Sequence, residues 1–192
     1  MARNADRRNS LMDAGIRVLA EAGARGLTHR AVDVAAGVPT GTTSNYFAGR
    51  DDLIAALVER IEERLTPDSD AVDSPPERPR DRHLVEEFVR DVARRLTGEP
   101  HVALALFELR LEATRRPTVA ATLSEWRQRA FEADVRFHAA QGLPGGRTEI
   151  ALLHHAIDGL MLDRLTIPLD TGVSTEEAVA ALVDRILRTA DV

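Results

Sequence analysis

The densest run of hydrogen-bonding side chains in the sequence is Pro39-Thr40-Gly41-Thr42-Thr43-Ser44-Asn45-Tyr46-Phe47. Thr40, Thr42, Ser44 and Asn45 are small and polar. On the exposed face of a short helix they reach phosphates or base edges without steric conflict. Backbone amides at that helix's N-terminus also favour a phosphate. The set supports recognition by hydrogen bonding and holds no acid–base pair for bond making. A second constellation is His154, His155 and Asp158, within one helical turn. His154 and Asp158 at i, i+4 can share a metal, but a catalytic or metal-sensing site needs a third ligand, and no HExxH-like motif is present. Histidines on a well-buried helix are more often hydrogen-bonded core or interface residues. The expectation is no metal, no cofactor and no catalytic residue.

The elements that must position these residues are helices. Leu11, Ala14, Val18, Leu19 and Ala22 recur at helical spacing up to Gly23 and Gly26. Thr28 is a good N-cap for a short helix to about Ala36, and Gly37 follows where a helix C-terminus wants a left-handed residue. Val38 plugs the turn, and the hydroxyl-rich run after it forms a second short helix. A helix, a tight turn and a helix between Thr28 and Phe47 have the layout of a major-groove reader. Asp51 caps a fourth helix through Leu53, Ile54, Leu57, Val58, Ile61 and Leu65. Residues 66–80, with four prolines and almost nothing apolar, predict a mobile loop.

Beyond that loop the helical pattern resumes. Leu84, Val85, Phe88, Val89, Val92 and Leu96 form one stripe, stopped by Gly98 and Pro100. Val102–Leu111 is apolar nearly all round, which predicts a buried central helix. Pro117 opens a helix whose stripe is Val119, Leu123, Trp126, Ala130, Ala133 and Phe137. A further helix spans about Thr148–Leu165, and Ser174-Thr175-Glu176-Glu177 is a capping box for the last one. No strand alternation, repeat or heptad run is present, so the fold is all-α with about nine helices.

Composition bounds the function. The chain has 192 residues, no cysteine and a net charge of −6, which excludes disulfides and thiolate metal sites. Its 25 basic residues are all arginine, mostly a compositional bias, although guanidinium suits phosphate contacts. Residues 1–50 carry a net +3 and the remainder −9. A basic head on an acidic body accommodates nucleic acid despite the overall sign. Arg3, Arg7 and Arg8 read either as a basic arm or as a solvated, disordered tail. The N-terminus has no signal-peptide pattern and no stretch is apolar enough to span a bilayer, so the expectation is a cytoplasmic protein with no membrane partner.

Ala36-Gly37-Val38-Pro39-Thr40-Gly41-Thr42, then Tyr46-Phe47, Arg50 and Leu53, resembles the signature of the tetracycline-repressor (TetR) family, roughly AGVSxGTxYxYFxxKxxL. Leu27-Thr28-His29-Arg30-Ala31-Val32 fits the helix before it. The resemblance covers about residues 8–60. It implies DNA contacts from Thr28 and Arg30, and from Thr40, Gly41, Thr42, Ser44 and Tyr46, with Asn45 added by its polarity. Arg50 stands where the family's lysine touches phosphate. Phe47, Val32 and Val38 would be core. Two departures stand out. Ser44 replaces a frequent tyrosine, and Asp33 replaces a common alanine, which puts an acid near the expected DNA face.

The resemblance also implies a DNA-binding domain over 1–50 and a ligand-binding and dimerisation domain over 51–192. The last two helices carry more apolar positions than one core face uses, which suits pairing with a second subunit. The middle helices would hold an effector pocket, with Phe88, Leu104, Phe107, Leu111, Trp126 and Phe137 as candidate lining and His101, Glu108 or Arg110 as polar anchors. Few polar groups favour a lipophilic molecule. The expected function is a dimeric repressor that binds palindromic double-stranded operator DNA and is released by a small-molecule effector. The competing readings are a small helical enzyme using His154, His155 and Asp158, and a non-specific nucleic-acid-binding protein.

Overall fold

The computed structural model describes residues 2–66 and 78–188. Among them are eight α-helices and one short 3-10 turn, and no strand. The helices are α1 (Ala2–Gly26), α2 (His29–Ala35), α3 (Arg50–Leu65), α4 (Arg82–Gly98), α5 (Pro100–Ala113), α6 (Pro117–Gln141), α7 (Arg147–Leu165) and α8 (Thr175–Arg188). They sort into two compact units. The first comprises Met1–Thr66 with Glu99–Trp126, and the second Pro67–Gly98 with Arg127–Val192.

In the first unit α1 is the hub, and α2, α3 and α5 all pack against it. Its apolar face buries Leu11, Ile16 and Leu19 against Leu53, Leu57 and Ile61 of α3 and Val102, Leu106 and Leu109 of α5. Burying each such side chain contributes about 1.5–3 kcal/mol before chain entropy is subtracted. Gly15 sets the spacing of α1 and α3, because a β-carbon there would lie 2.8 Å from Leu57 Cδ2. An ion network ties the far end of α3 to its neighbours. Arg60 grips Asp13 with Nε at 2.8 Å and Nη2 at 3.0 Å. Arg64 reaches the same Asp13 at 3.1 Å and also bonds Glu99, the residue before α5. Partial burial pushes the Asp13 carboxyl up, but the two guanidinium groups outweigh it and hold it below its ordinary value.

In the second unit α4, α7 and α8 pack on one another. Leu84 and Val85 are buried there, as are Ile150, Leu153, Ile157 and Met161 of α7 and Val179, Val183 and Leu187 of α8. The expected capping box opens α8: Ser174 Oγ accepts from the Glu177 amide at 3.1 Å, and the Glu177 carboxylate accepts from the Ser174 amide at 2.8 Å. That exchange satisfies donors a helix start leaves open.

Several expectations need correction. Arg7 and Arg8 lie within α1 and form neither an extended arm nor a tail. Arg8 stacks over Phe47 at 5.5 Å and pairs with Glu59 at 3.5 Å. Gly49, not Asp51, is the N-cap of α3, and Asp51 lies in its first turn, where it pairs with Arg116 at 3.7 Å. The helix at Val102–Leu111 is buried along one side only, and Leu111 is 56% exposed. Most of the predicted loop over 66–80 falls outside the described residues. At its end, Arg78 is held by Glu87 at 2.7 Å.

Candidate nucleic-acid interface

Thr28 caps α2 as its residue type predicts, with extended backbone and its hydroxyl accepting from the Ala31 amide at 3.1 Å. Gly37 ends the helix at φ 64°, in the left-handed region that favours glycine. The expected second α-helix is replaced by turns and a 3-10 segment, Thr43–Asn45, and the helix count falls from about nine to eight. The reason lies at Gly41, whose φ of 91° is incompatible with a continuous α-helix.

Asp33 holds this conformation. It is only 1% exposed, so the expectation of an acid on the DNA face is corrected: the carboxylate points into the small domain. One oxygen accepts from the Gly41 amide at 2.7 Å, and the other from the Thr43 amide at 2.7 Å and the Thr43 hydroxyl at 2.5 Å. Burial pushes the Asp33 carboxyl up, but the Thr43 hydroxyl and the Thr43 and Gly41 amides overcome it, so it lies below its ordinary value. Asp33 and Thr43 were both missed as site-building residues. The available signal was a carboxylate set near a glycine- and hydroxyl-rich turn, where short acidic side chains accept backbone amides.

The turn presents polar groups in two states of commitment. Thr28, Thr42 and Ser44 spend their hydroxyls on local backbone, Thr42 donating to the Pro39 carbonyl at 2.5 Å and Ser44 to that of Gly41 at 2.8 Å. Arg30, Thr40 and Asn45 are exposed, and none of their side chains makes a hydrogen bond among the described residues. Tyr46 packs its ring against the core, and Phe47 and Val32 are buried within it. Arg50 makes contacts within the chain that its expected role does not include. Its two terminal nitrogens donate to the carbonyls of Ala24 and Leu27, and it faces Glu112 of α5 at 3.9 Å. Its guanidinium therefore fastens the end of α1 to the start of α3.

Residues 11–57 match the family described as bacterial regulatory proteins, tetR family, and residues 80–189 match the tetracyclin repressor-like C-terminal domain. The chain belongs to the TetR family. Among solved structures, this TetR-family chain is 31% identical to the multidrug binding protein EbrR complexed with imidazole, covering 94% of each chain with a TM-score of 0.63. It is 30% identical to a TetR-family member from Streptomyces coelicolor A3, covering 94% of this chain and 98% of that one with a TM-score of 0.68. A TetR transcription regulator from Haloarcula marismortui shares the fold at 19% identity and a TM-score of 0.71, each chain covered to 97%. Among curated proteins none matches.

The candidate effector residues of this TetR-family chain are distributed over both units. In the first, Glu108, a candidate polar anchor, accepts from the Ala24 amide of α1 at 3.4 Å. His101 is exposed, Leu104 half-buried, and Phe107 carries the Arg110 guanidinium 5.7 Å from its ring centroid. Trp126 packs on the first unit's core. In the second, Phe88 and Phe137 meet edge to face at 5.2 Å. The His154–His155–Asp158 cluster is not brought together on a common ligand. His154 pairs with Asp134 at 2.9 Å and Asp158 with Arg127 at 3.0 Å, while His155 is exposed. No group of three metal-ligating side chains occurs among the described residues. No helix among them is long and apolar enough to cross a membrane.

Proposed function

We propose that this TetR-family chain is a repressor that reads a palindromic operator as a homodimer and leaves it when a small molecule binds. The observation that carries the reading is the Asp33-held turn, beside which the side chains of Arg30, Thr40 and Asn45 are exposed and make no hydrogen bond among the described residues. Guanidinium serves guanine edges or phosphates, the amide serves adenine, and the hydroxyl serves either base edges or backbone. Thr42, Ser44 and Tyr46 contribute backbone amides and shape more than free side-chain groups.

Two-fold pairing through α7 and α8 is supported by α7's second face. Leu152, His155, Gly159 and Leu162 repeat at spacings of three and four, and all are exposed. The opposite side of α7 buries Ile150, Leu153, Ile157 and Met161. A second copy covering the exposed stripe gives those leucines the apolar contact that water denies them. For the effector, the Phe88–Phe137 pair favours an aromatic molecule. Structures of EbrR, at about 30% identity, carry ethidium, proflavin and malachite green, and the same chemical class is the first to screen here.

The test is selection of bound duplexes from a random pool. The reading expects enrichment of an inverted repeat whose half-sites lie about one helical turn, roughly 10 base pairs, apart. Enrichment of no common sequence contradicts it.

A further inference from the structure

Where α1 ends and α3 begins, the first unit contains a cleft of about 690 Å3 lined by Arg25, Arg50, Glu112, Arg115 and Arg116. Four guanidinium groups around one carboxylate are a costly arrangement in a chain of net charge −6, because like charges repel across a concave surface that focuses the field. Only part of that charge is compensated. Arg116 is 2.7 Å from Glu112 and 3.7 Å from Asp51, and Arg50 is 3.9 Å from Glu112. Among the described residues the Arg25 side chain makes no hydrogen bond or ion pair, and that of Arg115 makes only a 3.4 Å contact to the Leu111 carbonyl. Counting Asp51 with Glu112, the cluster keeps two uncompensated positive charges.

The walls are also fixed before anything binds. Glu108 accepts from the Ala24 amide next to Arg25. Arg50 clasps the carbonyls of Ala24 and Leu27, and Thr118 donates to Asp51 at 3.3 Å. One further atom asks for an acceptor: Arg50 Nε is buried with none. A buried N–H without a partner is unfavourable, and a charged acceptor removes that penalty most strongly.

We propose that this cleft is a binding site for a phosphate group, with Arg25 and Arg115 as its primary ligands and Arg50 and Arg116 as the fixed positive wall. All five lining side chains are charged and four of them are cationic, so what the cleft recognises is the doubly charged, oxygen-rich head itself. Guanidinium forks match that geometry in pairs. Such a group has two sources, a free phosphate or pyrophosphate and the backbone of bound duplex DNA. Arg50 is four residues beyond Tyr46 of the reading turn, so the cleft adjoins that turn along the chain. The second source rests on the DNA-binding reading; the first does not.

The experiment uses the full chain and the double variant Arg25→Ala/Arg115→Ala, with Arg136→Ala as a control for lost charge. The first arm titrates inorganic phosphate and pyrophosphate by calorimetry, with chloride at matched ionic strength as the blank. The second measures affinity for duplex DNA against salt. Saturable pyrophosphate binding that weakens roughly tenfold or more in the double variant, and not in the control, assigns the site to a free anion. If free anions do not bind but the salt slope for duplex falls by about one for each arginine removed, the site takes backbone phosphate. Neither altered arginine forms an ion pair among the described residues, and Arg115 gives up only its long contact to the Leu111 carbonyl, so unchanged unfolding curves are expected. The proposal is overturned if the double variant matches the wild type in both arms. DNA binding that fails in every variant while pyrophosphate still binds counts against the operator reading and leaves this site standing.

Discussion

Asn at position 33 is the sharpest perturbation of the reading turn. The wild-type carboxylate is buried and accepts three hydrogen bonds, from the Gly41 amide and from the amide and hydroxyl of Thr43. In Asp33→Asn one oxygen survives and serves best where it keeps both Thr43 donors. The new NH2 then faces the Gly41 N–H, donor against donor. One charge-assisted bond is lost and two are weakened, which amounts to about 2–4 kcal/mol. The variant no longer buries a charge, which offsets part of this and leaves a net loss of about 2 kcal/mol. In a chain of this length that lowers Tm by about 4–8 °C. Urea and thermal unfolding at neutral pH measure the loss, and amide chemical shifts of Gly41 and Thr43 locate it. The sign of its pH dependence follows from the lowered Asp33 pKa. The unfolded chain takes up the proton first, so the stabilisation is full above the ordinary value of 3.8 and is lost as pH falls through the folded value. The gap between wild type and variant therefore holds constant from about pH 7 to about pH 5 and closes in acid. A loss below about 0.5 kcal/mol with both amides unmoved refutes the reasoning.

Three further outcomes are expected. Gly41→Ala places a β-carbon at φ 91° and lowers stability by about 1–3 kcal/mol, with weaker operator binding; unchanged unfolding contradicts the assigned backbone. His138, with a ring nitrogen buried without a partner, is lowered below 6.5, first by burial and further by His154, against the raising effects of Asp134 and the Pro144 backbone. Its neutral form thus adds stability that is full above pH 6.5 and declines below it; proton NMR should give a midpoint under 6.5 that Asp134→Asn lowers further, and a midpoint at or above 6.5 contradicts the burial argument. Gly159 lies in mid-α7 with nothing within 4 Å of a β-carbon, although Gly there disfavours a helix by about 0.5–1 kcal/mol relative to Ala. We attribute the residue to close approach of a second copy, so Gly159→Arg should sediment as a monomer at concentrations where the wild type is dimeric; an unchanged dimer places the interface elsewhere.

Helix periodicity and caps were legible because they are local. Thr28, Gly37, Pro117 and the Ser174–Glu177 box each act within a turn of their own position, and each was found where residue chemistry put it. Long-range commitments were not legible. Nothing near Arg50 in the sequence announces that carbonyls 23 and 26 residues earlier take its donors. The contact of Glu108 with the Ala24 amide was hidden likewise, because its distant partner is a backbone group that composition does not show. Asp33 was misplaced for the same reason: its acceptor role depends on the unusual backbone at Gly41, and helical spacing assumes a backbone without such a break. The apolar helix at Val102–Leu111 was read as wholly buried because its hydrophobicity is nearly uniform, which leaves periodicity no means of telling its covered side from Leu111.

The central claim is sequence-specific operator binding by a pair of subunits. Fluorescence anisotropy with a labelled duplex carrying the selected inverted repeat, titrated at several salt concentrations beside a scrambled duplex, tests it most directly. The account predicts saturation at two chains per duplex, affinity at least about a thousandfold above the scrambled control, and weakening as salt rises. Equal affinity for the two duplexes, or saturation at one chain per inverted repeat, contradicts it.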